Sequence, residues 1–76
     1  MSPALPVING KDAIRAFHKD GWVEKSRKGS HVKLVKPGNP TPIIIPVHGN
    51  KPLDRGTLAS IIRHSGLTVE EFVVLL

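Results

Sequence analysis

The sequence predicts an α+β domain running helix, three-stranded antiparallel sheet, helix and short C-terminal helix. Three observations predict it. Apolar residues near the start recur at helical spacing. Three strand-like runs follow, punctuated by glycine and proline. The last third then returns to helical spacing behind capping signatures. The 76 residues fit a single domain, residues 1–76, with no internal repeat and no interdomain linker.

Met1 to Ile8 contains two prolines and little pattern, so residues 1–8 read as a loose leader. Asn9 is placed to N-cap the first helix, with Asp12 three residues on in a capping-box-like position. Ala13, Ile14 and Phe17 share one face of that helix, and Gly21 ends it. Two strand-like runs follow, Trp22 to Lys28 and Ser30 to Lys36, separated by Gly29. Pro37-Gly38-Asn39-Pro40 is a strong turn signal, and a third strand runs from about Pro42 to His48. Its prolines lack a ladder donor and place it at a sheet edge. The second helix spans Asp54 to Ser65, with Leu58, Ile61, Ile62 and Ser65 inward and Gly66 as its stop. Thr68 and Glu71 form a capping box for a short last helix, Val69 to Leu75.

Composition narrows the function. With no cysteine, the chain has no disulfide, thiolate zinc site or cysteine nucleophile. No apolar run approaches the ~18 residues of a membrane span, and no signal peptide begins the chain, so the expected location is the cytoplasm. The histidines and acids show no metal-ligand spacing, and no glycine loop suits a nucleotide cofactor; none of either is expected. The net charge is +5, and between Lys25 and Lys36 five basic residues stand without an acid. A local basic surface attracts polyanions, of which nucleic acid is the commonest in a cell.

Strand parity locates the histidines. Alternate residues of a strand point to opposite faces. Val32 and Leu34 on the second strand, and Ile43, Ile45 and Val47 on the third, belong to the core. The opposite face then carries His31, Lys33 and Val35 beside Ile44, Pro46 and His48. A hairpin centred between Asn39 and Pro40 sets His31 opposite His48, Val32 opposite Val47 and Leu34 opposite Ile45. Histidine suits proton transfer because its ordinary pKa lies near neutrality. One group removing a proton from a ribose 2′-hydroxyl and another protonating the departing 5′-oxygen would cleave RNA without a metal. His31 is the catalytic candidate, with His48 as the candidate second group. Lys25, Arg27, Lys28, Gly29, Ser30 and Lys33 are the candidate RNA-binding residues, the cations to stabilise phosphate charge and Gly29 to let the backbone approach it. His18 and His64 read as surface residues.

Four stretches together resemble a known family. They are Asp20-Gly21-Trp22, Lys28-Gly29-Ser30-His31, Ile45-Pro46-Val47-His48-Gly49, and Leu53 to Ile62 followed by Ser65 to Phe72. Each piece alone is common; all four at these spacings resemble the HicA family of toxins. The resemblance implies a double-stranded-RNA-binding-domain-like fold and a ribonuclease that cleaves mRNA and blocks translation. It implies His31 of the Gly-Ser-His motif as the catalytic residue, and a HicB-type antitoxin that covers the active site. The alternative is a non-catalytic RNA-binding module of the same fold. Duplex-binding modules of that kind usually carry a lysine cluster at the start of the last main helix, whereas Asp54-Arg55-Gly56-Thr57 offers one basic residue.

Overall fold

A computed structural model describes residues 4–76. The first three residues of the predicted leader lie outside the described ones; within the remainder, Leu5 and Ile8 pack partly buried against the core. The elements are α1 (Gly10–Lys19), β1 (Val23–Lys28), β2 (His31–Lys36), β3 (Asn39–Pro46), α2 (Arg55–Ser65) and α3 (Val69–Val74). The strands form one antiparallel sheet in the order β1-β2-β3. This is the predicted α+β arrangement, and it is consistent with a double-stranded-RNA-binding-domain-like fold.

The helix signals at Asn9 and Thr68 act as read, and Asp54, expected as the first residue of the second helix, instead caps it. The Asn9 side chain accepts from the Asp12 backbone N–H at 2.9 Å, and Asp54 accepts from Gly56 and Thr57 at 3.1 and 3.3 Å. Thr68 and Glu71 satisfy each other's backbone N–H groups at both ends of a capping box. Each such cap supplies partners to amides that the first turn leaves orphaned.

One sheet face holds the core. Val32 and Leu34 of β2 and Ile43 and Ile45 of β3 are buried under Ala13, Ala16 and Phe17 of α1 and Leu58, Ile61 and Ile62 of α2. Phe72 of α3 closes the cluster, its ring centroid 4.9 Å from that of Phe17. Both main helices lie against β3. β1 sits beyond their cover and is exposed along its whole length.

The closest approach of helix to sheet is at Gly10. A Cβ built there would fall on the carbonyl oxygen of Pro46, so only glycine lets α1 start this near the end of β3. A carboxylate ties the other end of α1 to the sheet. Asp20 accepts from Lys36 Nζ at 3.0 Å and from the Trp22 indole N–H at 3.2 Å. Lys36, one of the five basic residues of the central stretch, is thereby drawn out of any free cationic surface. His18 is also not partnerless, because its Nδ1 lies 2.8 Å from the Trp22 carbonyl and can donate to it.

The register between β2 and β3 corrects the predicted one. His31 faces Pro46, Val32 faces Ile45 and Leu34 faces Ile43, two residues from the expected partners. The turn is tighter than the four-residue signal suggested. Pro37 and Gly38 alone make it, with Lys36 facing Asn39 and Gly38 at φ +86°, the backbone of a type II turn. β3 therefore starts at Asn39, and an irregularity between Leu34 and Lys36 sets the register of the rest. A shift of two preserves the faces, so the core is as predicted and only the cross-strand partners change. His31 and His48 are not opposed, and β3 ends at Pro46, before His48.

Candidate functional site

The sheet face away from the helices is open, and its composition changes along the strands. At one end Lys28, His31 and Pro46 stand in a row across the three strands; next to it lies the row Ser26, Lys33 and Ile44. Toward the far end Val23 faces Val35. Ser26, Lys28, His31, Lys33 and Ile44 line one hollow on this face.

Local sequence explains the gathering. Gly29 and Ser30 are a two-residue hairpin turn between Lys28 and His31. Gly29 has φ +59° and Ser30 is not in the positive region, the pattern of a type II′ turn with glycine first. That turn fixes Lys28 opposite His31 and Ser26 opposite Lys33. The carbonyl of Ser30 also accepts from the N–H of Val47 at 2.6 Å, anchoring the turn to the end of β3.

His31 is exposed. Among the described residues its ring makes no hydrogen bond within the protein, so no carboxylate orients it. Lys28 and Lys33 form no ion pair; the described pairs are Arg15–Asp12 and Lys36–Asp20. The hollow therefore offers an accessible imidazole between two unneutralised ammonium groups, with one hydroxyl beside them. Such a set favours a phosphodiester, whose charge the cations balance and whose neighbouring hydroxyl an imidazole can deprotonate.

The other predicted site residues are dispersed. Arg27 faces Val32, on the helix side of the sheet, and its guanidinium donates to the Gly29 carbonyl at 3.3 Å. Lys25 is the extra residue of a bulge between Glu24 and Ser26, and it does not line the hollow. Gly29 and Ser30 border it as the turn. His48 lines a different hollow with Lys51, Pro52, Leu53, Asp54 and Thr57, which Pro46 also borders. The predicted imidazole pair is thus separated, as the shifted register requires. Ser26 and Ile44 are additions to the predicted set. Parity alone puts Ile44 on this face, whereas Ser26 follows only once Gly29-Ser30 is read as a two-residue turn. Among the described residues no three metal-ligating side chains lie together, and no helix is long and apolar enough to cross a membrane.

Comparison with known proteins decides the family. The model of the HicA toxin of bacterial toxin–antitoxin systems matches residues 10–67, which hold the whole sheet and both main helices. The chain belongs to the HicA toxin family. A solved toxin–antitoxin complex from Streptococcus pneumoniae contains a chain 33% identical to this HicA-family chain, with a TM-score of 0.66, matched over 79% of this chain and 98% of that one. No curated protein matches. Membership makes this HicA protein a toxin of the bacterial toxin–antitoxin kind. The helix α3, including the buried Phe72, lies beyond the residues the family model matches.

Proposed function

We propose that this toxin is an endoribonuclease that cleaves mRNA at the His31 hollow without a metal ion. The observation that carries the reading is the meeting of His31 with Lys28 and Lys33 on an open, unneutralised face. In the reaction, the ribose 2′-oxygen attacks the adjacent phosphorus and the P–O5′ bond breaks. His31 takes the 2′ proton as general base, and a proton reaches the departing O5′ from the resulting imidazolium. Lys28 and Lys33 stabilise the added negative charge at phosphorus. His48 is not the cross-strand partner of His31, and His31 is assigned both proton transfers. The products are a 2′,3′-cyclic phosphate and a 5′-hydroxyl.

The same face is where a HicB-type antitoxin would neutralise the toxin, by placing acidic groups on Lys28 and Lys33 and covering His31. The solved toxin–antitoxin complex supports the kind of partner. The setting is the cytoplasm, where mRNA and antitoxin are both found. The test is RNA cleavage in EDTA by the wild type and His31→Ala, with analysis of product ends. Cleavage by the wild type alone, leaving cyclic phosphate ends, is the expected result. Equal cleavage by both removes His31 from the chemistry. Binding without cleavage by either makes the chain an RNA-binding module instead. A complex with antitoxin that cleaves at full rate would overturn occlusion.

A further inference from the structure

Ile44 belongs to two depressions. It lines the His31 hollow, and it also lines a groove between the outer edge of β3 and α2. It is 45% exposed in the middle of a basic sheet face. The groove has an apolar floor, Ile43 and Ile61, and a polar wall of Thr57, Ser60 and His64. These three stand at intervals of three and four on α2 and so form one stripe. Among the described residues none of their side chains makes a hydrogen bond within the protein, whereas the nearby Ser65 and Thr68 hydroxyls are both engaged. The one acid in the groove, Asp54, has its carboxylate on the amides of Gly56 and Thr57.

We infer that Ile44 and the groove it shares with α2 form a subsite for one unpaired nucleobase beside the scissile phosphate. The inference rests on the reading of His31 as an RNA-cleaving centre. Unpaired bases are recognised by packing of the flat ring and by hydrogen bonds to its edge. Phe17, Trp22 and Phe72 are all buried and unavailable for stacking. Ile44 is the exposed aliphatic side chain in the wall of the catalytic hollow and offers a surface on which the flat face can pack, with the His64 imidazole in the same groove. Thr57, Ser60 and His64 supply free hydrogen-bonding groups at the reach of a base edge.

The strand edge itself favours a base over a polypeptide strand. The bond from Val47 N–H to Ser30, carried along the register, turns the N–H groups of residues 43, 45 and 47 toward β2. The outward positions are then Pro42, Ile44 and Pro46, and proline has no N–H. A strand adding here would find one donor between two gaps, which is too few for a ladder. For a base edge, the single outward N–H of Ile44 is enough.

The test measures short single-stranded RNA with the wild type, Ile44→Ser, and a triple variant Thr57→Val, Ser60→Ala, His64→Ala. Circular dichroism checks that each is folded. The expected result is KM raised about five- to tenfold with kcat nearly unchanged, at the low end of the usual cost of losing an aromatic stack. The choice of cleavage site should broaden as well. An RNA made abasic at the flanking position should abolish the difference between wild type and Ile44→Ser. Unchanged KM and site choice in both variants would overturn the subsite. So would variants that lose antitoxin binding while binding RNA normally, because that marks a protein-docking face. Binding by the His31→Ala protein separates the two proposals. If it holds RNA and Ile44→Ser on that background holds it equally well, only the subsite fails; if His31→Ala leaves cleavage intact, the parent reading fails.

Discussion

The two faces of the sheet are built from the same strands and differ in character. On β2, Val32 and Leu34 are fully buried, while His31 between the turn and Val32 is exposed, and Lys33 between them lines the hollow. On β3, Ile43 and Ile45 are buried and Ile44 between them is exposed. On β2 and β3 the helix-side face is apolar and closed; the other face is cationic at one end and open. Because the period is two, the core and the proposed active site occupy alternate positions, and stability and the proposed activity should be separable by single substitutions.

The sharpest test of that separation is His31→Ala. Cleavage should fall about 100- to 10,000-fold, the usual worth of general acid–base catalysis, while the denaturation midpoint stays near that of the wild type. Three positions along the same strand, on its other face, the balance inverts. Leu34→Ala should lose about 2–5 kcal/mol of stability in a urea titration, with any protein still folded cleaving normally. Equal stability losses at His31 and Leu34 would break the comparison.

Gly10→Ala tests the join between the faces. The added methyl meets a backbone oxygen, so α1 or the end of β3 must move, at a cost of about 1–3 kcal/mol. Pro46 is the cross-strand neighbour of His31, so KM should also rise if the strand yields, and stay constant if the helix does. The smallest effect is expected from Lys28→Ala with Lys33→Ala. Removing two phosphate contacts should flatten the slope of log affinity for single-stranded RNA against log salt by about 1.4. An unchanged slope would remove these lysines from the phosphate path.

Much of this was legible in the amino-acid order. The caps at Asn9 and Thr68 are local signals, and each acts through groups within three residues. The core followed from parity, which survives any even error of register. What parity cannot see is the partner across the strand. That depends on whether Pro37 and Gly38 turn alone or with Asn39 and Pro40, a choice among turns of similar local energy. The mistaken choice brought His48 to His31, while Ser26 depends on a different turn, Gly29-Ser30. Arg27 was misplaced for a related reason: charge density along the chain says nothing of the face, and Lys28 and Arg27 are adjacent yet opposite.

The bulge in β1 has a consequence for heredity. Lys25 has no counterpart on β2, so the strand holds one residue more than its ladder reads. A deletion of one codon between Val23 and Arg27 can draw on that spare residue. Without Lys25, Glu24 and Ser26 become neighbours, still against Leu34 and Lys33, and every face assignment survives. β2 holds no such reserve between His31 and Leu34, where each residue is paired on both sides. Length variation in descendants of this gene should therefore collect in the first strand and spare the second, and a scan of single-codon deletions for folded protein would show it.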